Sequence, residues 1–226
     1  MPTITIYGQP GNNTGEAWDG NVQRKDVDET WATIHDTSGG THAQASSIGT
    51  TFVQLACSTT VNQFRILSRG IIGMNTTVLD PNWTLNDATL YIKGESKTNT
   101  YTNSVSTAWR LAIVKMTNPG NIITTASYNY TRYSTNALAT TTYNAYSTTV
   151  HNAFSIPVGE VNKGANTYFG GRSNYDIDNS PPAWQSYADI RVNAWYADQT
   201  GTADDPYMIV TYNSVTAAAS HQVIII

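Results

Sequence analysis

Charge is what this sequence has least of. Only 12% of its residues are Asp, Glu, Lys or Arg, against roughly 25% in an average soluble domain. The net charge is −4, and the few cations form no stripe along the chain. That excludes the broad phosphate-backbone contact on which general nucleic-acid binding depends, so no nucleic-acid partner is expected. A single cysteine, Cys57, excludes a disulfide within the chain. It sits in the alternating run Thr51-Phe-Val-Gln-Leu-Ala-Cys57 without a basic neighbour, which reads as a buried apolar side chain; a catalytic thiol is the sharper alternative. No apolar run approaches the length of a membrane span. Met1-Pro-Thr-Ile-Thr-Ile-Tyr7 lacks the basic start and apolar core of a signal peptide. Synthesis in the host cytoplasm, with no membrane partner, is the expectation. Helix signals are scarce too, because no long stretch carries 3.6-residue apolar spacing between caps.

Period-two alternation takes the place of these missing signals. In Ala188 to Tyr196, Ile190, Val192, Ala194 and Tyr196 alternate with Asp189, Arg191, Asn193 and Trp195, the pattern of a half-buried strand. After a turn-rich loop, Tyr207 to Tyr212 alternates again behind Pro206, and the two strands are expected to pair with each other. Thr50–Ala56, Asn62–Met74, Asp87–Gly94, Thr107–Met116, Val150–Ile156 and Asn166–Arg172 carry further strand signals. Asn21–Arg24 and Thr30–His35 read as short strands, Asp36–Ser47 as a long surface loop and Asp80–Asp87 as a turn cluster. About ten strands at short intervals predict an all-β fold, an antiparallel two-sheet β-sandwich of jelly-roll kind with strand-like N- and C-terminal arms. The domain is placed at residues 18–212, between an N-terminal arm (1–17) and a C-terminal connector with an aliphatic arm (213–226).

Residues capable of chemistry are scattered. His35-Asp36 with a nearby Ser lacks the nucleophile elbow of a hydrolase, and the plainer reading is a loop Asp beside a partly exposed His. His35, His42, His151 and His221 lack the short spacing of a zinc site. No catalytic residue and no obligatory cofactor is assigned. Asp198, Asp204 and Asp205 crowd one loop around Gly201 and offer oxygen ligands for calcium, although a turn cap at Asp198 and strand initiation by Asp204-Asp205-Pro206 is the plainer reading. Glu160, Asp176 and Asp178 form a second acidic group of the same ambiguity. Among 6 Trp and 14 Tyr, Trp83, Trp184 and Trp195 lie in or beside turns or opposite the aliphatic stripe. They are the candidates for stacking on sugar rings, although packing in the core or a subunit interface is the favoured reading.

The small-residue stretch Asn213–Ser220 reads as a connector leading to Val223, Ile224, Ile225 and Ile226. A free aliphatic end would expose apolar surface and invite strand pairing, so these four are expected to pack in a subunit interface or as a last strand. Trp18-Asp-Gly20, Asp28-Glu-Thr-Trp-Ala-Thr-Ile34, Arg172-Ser-Asn-Tyr-Asp176, Pro182-Ala-Trp184, Tyr196-Ala-Asp-Gln-Thr-Gly-Thr-Ala-Asp-Asp-Pro206 and Val210-Thr-Tyr212 together resemble uncharacterised β-sandwich proteins of bacteriophage and environmental genomes. Those are often encoded beside virion genes and are loosely similar to carbohydrate-binding-module-like sandwiches of the DNRLRE type. The resemblance implies a non-enzymatic virion structural protein at the virion surface, a capsid decoration protein or head/tail fibre component. It would assemble as a homo-oligomer and with other virion proteins such as the major capsid protein. A carbohydrate-binding module or adhesin for cell-surface glycans is the alternative.

Overall fold

The computed structural model describes residues 1–8, 19–45, 49–120, 122–197 and 201–214. The fold is all-β. Its strands are β1 (Thr3–Tyr7), β2 (Asp19–Arg24), β3 (His42–Gln44), β4 (Gly49–Cys57), β5 (Phe64–Met74), β6 (Thr84–Asn99), β7 (Arg110–Met116), β8 (Tyr133–Thr142), β9 (His151–Ser155), β10 (Thr167–Ser173), β11 (Asp189–Trp195) and β12 (Tyr207–Asn213). Short helices α1 (Trp31–Asp36), α2 (Val105–Ala108) and α3 (Asn174–Ile177) lie between them, and no helix among the described residues is long and apolar enough to cross a membrane.

The expected division into two sheets gives way to one curled sheet of twelve strands, ordered β1-β12-β6-β11-β4-β5-β10-β7-β8, with β2, β3 and β9 attached beside that path. The curl originates in the long strand β5. Ser68 is paired with Gln54 of β4 and with Gln23 of β2, and Gly70 with Asn21 of β2 and Gly171 of β10. Since a strand residue has one partner on each side, β4 and β10 occupy successive stretches of the same edge of β5. Past that fork β4 rises off the sheet and lays the ring of Phe52 over Gly70 and Gly171, where a Cβ would meet the ring at 2.1 Å and 2.6 Å. Only glycine leaves room for this crossing.

The alternation read in β11 holds, with Ile190, Val192 and Ala194 buried and their neighbours half-buried. Its partner was misassigned. β12 does not pair with β11; β6 runs between them, with Leu90 opposite Met208 and Lys97 opposite Val192. The two strands are joined by a loop, yet both needed a longer partner, and the 16-residue β6 supplies it. The N-terminal arm is likewise an edge strand of the sheet, Thr3–Tyr7 against Thr211–Tyr207. The segment Thr30–His35 is helical, not extended. Thr30 Oγ1 caps α1 by accepting from the Thr33 amide, and Trp31, Ile34 and His35 share its buried face. Within the expected loop 36–47, His42–Gln44 pairs with β2, and β6 begins at Thr84, inside the expected turn cluster.

Candidate functional site

The residues with the most chemistry lie in a buried ionic network beneath α1 and α3. Asp176, Arg69 and Arg172 have no solvent exposure. Arg69 grips the Asp176 carboxylate with both Nε (2.9 Å) and Nη2 (2.6 Å), and Arg172 Nε adds a third bond at 2.7 Å. Two cations face one anion, and oxygen acceptors take up the excess. Arg69 Nη1 donates to the Tyr128 carbonyl and Nη2 to that of His35, while Arg172 Nη2 donates to the Asp176 carbonyl. The Tyr128 ring lies 4.3 Å from the Arg69 guanidinium, a cation–π contact that further spreads the charge. Burial alone would raise the Asp176 pKa; Arg69 and Arg172 outweigh it and hold the carboxyl well below its usual range.

His35 is buried by this network and is not the partly exposed loop histidine expected. Its Nε2 donates to the Asp176 carbonyl at 2.8 Å, and Nδ1 contacts the exposed Asp36. Trp31 and Tyr130 flank the ring. Cys57 is also committed, its Sγ 3.0 Å from the Tyr101 hydroxyl, with burial pushing the thiol pKa up. His35 and Cys57 are thus both engaged in contacts within the protein.

The acidic loop is only partly within the described residues, since Asp198 falls outside them. Asp204 pairs with Lys93. Asp205 is 5% exposed, and its carbonyl accepts from His151 Nε2 at 3.2 Å. Among the described residues no three His, Cys, Asp or Glu side chains converge for a metal. The second acidic group disperses, with Asp176 buried in its network, Asp178 exposed and Glu160 beside Lys115. With one carboxylate of the loop neutralised by Lys93, exhaustive chelation is expected to leave the melting temperature unchanged. A fall of several degrees, reversed by calcium, would establish a calcium loop through ligand linkage.

The three candidate tryptophans are not brought together. Trp83 precedes the start of β6 and stacks on Tyr212 at 3.9 Å. Trp195 follows Ala194, which pairs with Gly94 of β6. At about 3.3 Å per residue the two ends of that stretch of β6 are about 30 Å apart. Trp184 packs half-buried near the far end of the same strand, where Asn103 Nδ2 donates to the carbonyl of its neighbour Ala183. A different aromatic row occupies the outer face. Tyr7, Tyr207 and Tyr91 stand in register on β1, β12 and β6, and the last two stack at 4.6 Å with planes 13° apart. Tyr7, on the edge strand, is tilted 49° against Tyr207 and 42% exposed, so the end of this row is open to solvent.

An open groove of about 910 Å³ lies at the ends of β7, β8 and β10. Its floor is Met116, Tyr133 and Tyr168, each 6% exposed or less. Register places them together, because Met116 faces Tyr133 and Lys115 faces Phe169. On one wall Lys115 Nζ donates to the Glu160 carbonyl and to Asn162 Oδ1. Burial lowers the Lys115 pKa against the opposing pull of Glu160. On the other, Arg132 Nη1 donates to the Asn118 carbonyl at 3.1 Å. Asn166 closes the rim. Its Nδ2 makes a long hydrogen bond, 3.4 Å, to the Tyr168 hydroxyl, and its buried Oδ1 has no partner among the described residues. Sequence reading missed this groove, because its walls are Asn, Thr and Lys of a kind found throughout the chain.

No protein-family model matches the chain, and no curated protein matches it. The likeness to phage-encoded sandwiches therefore rests on residue pattern alone, and the groove must be interpreted from its own chemistry.

Proposed function

We propose that the protein is a non-enzymatic structural component of a bacteriophage virion, a capsid decoration protein or head/tail fibre component exposed on the particle. The observation that carries this reading is the edge strand β8. It pairs only with β7 in the described sheet, runs ten residues, and contains neither a charged residue nor a proline. Proteins that stay apart blunt their sheet edges with lysine, proline or a covering element. The register of β8 against β7 shifts at two places, and such bulges also blunt an edge; its lack of charge nonetheless suits repeated strand contacts with further copies or with a major capsid protein. The use of Asp176, His35 and Cys57 as buried ties supports a structural role.

Particles purified from the virus encoding the chain should contain it in stoichiometric amount, accessible to antibody; its absence from them would overturn the proposal. A charge on the edge should interfere with assembly alone. Thr135→Lys and Ala137→Lys, both at exposed positions, are expected to lower the oligomeric mass measured by sedimentation, with the melting temperature within about 2 °C of the parent. An unaltered oligomer would move the interface away from β8. The proposed interface residues Val223, Ile224, Ile225 and Ile226 lie outside the described residues. Their removal tests the same assembly independently.

A further inference from the structure

We propose that Lys115 and Asn162, which meet on one wall of the groove, become joined by an isopeptide bond between Lys115 Nζ and Asn162 Cγ. The two side chains are already held for it. Lys115 Nζ donates to Asn162 Oδ1 at 3.3 Å. With a C=O bond of about 1.2 Å this puts Nζ about 3.5–4.5 Å from Cγ, close to the roughly 3–3.5 Å of atoms poised to react. The amide is pinned, because Asn162 Nδ2 donates to the Asn166 carbonyl at 2.6 Å and the Asn162 main-chain N–H to Thr167 Oγ1 at 2.9 Å. A further bond from Nζ to the Glu160 carbonyl positions the amine, and the ladder fixes Lys115 opposite Phe169 of β10. Elsewhere among the described residues Lys97 and Lys163 end on backbone carbonyls and Lys93 on the Asp204 carboxylate. Lys115 is the one that meets a side-chain amide.

An amide is an unreactive acceptor, and fixed geometry offsets this with effective concentrations of about 10⁵–10⁸ M. The reaction also needs a neutral amine and protons for the departing nitrogen. Burial lowers the Lys115 pKa, which favours the amine. Glu160 lines the same wall, its charge acts on Lys115, and it is the group to carry protons. Its carboxylate takes one from the lysine ammonium, Nζ attacks Cγ, and the new C–N bond forms as the Cγ–Nδ2 bond breaks. Of the three protons on the starting ammonium, one stays on Nζ and Glu160 passes the other two to Nδ2, which leaves as ammonium. Charge balances, and no oxidant or cofactor is consumed. Asn162 is exposed, so the ammonium escapes to solvent. The product ties β7 to the segment that leads into β10. The proposal does not rest on the virion reading, since a protein absent from particles would form the same bond.

Mass spectrometry of the intact full chain tests it. The parent should weigh one ammonia less than its sequence, and a tryptic digest should contain a branched peptide joining Lys115 to Asn162. Lys115→Arg and Asn162→Ala should both have full sequence mass. Glu160→Gln should lower the joined fraction, at a fixed time after purification, by at least about tenfold. A parent of full sequence mass overturns the proposal. So does an ammonia loss that persists in Lys115→Arg, which would come from cyclisation of an asparagine onto its own backbone. A joined fraction indifferent to Glu160→Gln overturns the part assigned to Glu160.

Discussion

Asp176→Asn should lower the melting temperature by about 10 °C. The substitution keeps the side-chain shape, removes the charge and turns one of the two acceptor oxygens into a donor facing a guanidinium, leaving Arg69 and Arg172 facing each other with no solvent exposure. Breaking a buried pair in this way costs about 3–5 kcal/mol, and in a chain of this size each kcal/mol moves the transition by about 2–4 °C. Asp178→Asn, two residues on and exposed, is the control and should change nothing. Equal melting of the two variants would show that the network contributes no net stability. The same geometry sets an acid limit. Because the native Asp176 pKa is depressed below its unfolded value, the unfolded chain takes up its proton first as pH falls. Its stabilisation is fully present above about pH 4, the ordinary carboxylate value, and is lost as pH falls from there through the native pKa. Asp176→Asn should therefore flatten the acid limb of the stability profile.

Gly70→Ala should be nearly as damaging. A Cβ there would stand 2.1 Å from two carbons of the Phe52 ring, which is fully buried and also covers Gly171. Overpacking of a tight core costs about 1–3 kcal/mol, and the upper end applies because the ring is fully buried and already lies close over both Gly70 and Gly171. Phe52→Leu, costly alone through the space it opens, should relieve the clash. The double variant is then expected to be more stable than the sum of single effects predicts, by at least about 1 kcal/mol. Additive losses would mean that the ring and the glycine do not compete for the same space. Gly39→Ala, where no atom lies within 4 Å of the new carbon, provides the neutral reference.

How far the fold could be read from sequence follows from which signals are local. β4, β5, β10, β11 and β12 alternate or run apolar over five or more residues, and their strand character was legible. Pairing was not. Nothing in the loop from Trp195 to Tyr207 reports that β6, a hundred residues earlier, lies between the strands it joins. The helix α1 had a readable signature in Thr30, Trp31, Ile34 and His35, a cap followed by an i, i+3, i+4 apolar face, but its β-branched residues suggested a strand. β3 is three residues long with no alternation to see. The Arg172–Asp176 pair was within one turn of chain, yet its third member, Arg69, arrives from 107 residues away. The groove is less legible still. Its lining comes together only where the ends of three strands meet three connecting segments.

The place of β12 in the sheet has a consequence for the order in which the chain becomes a protein. β12 lies between β1 and β6, and it pairs Thr3 with Thr211. During synthesis β1 and one flank of β6 have no strand partner there until Tyr207–Asn213 has been made. Sheets closed by such distant segments fold slowly, in milliseconds to seconds for small domains and longer for larger ones. The insertion of Tyr207–Asn213 is the step that shuts this sheet. Until it happens, β1 and that flank of β6 are unpaired edges of the kind that other strands can join.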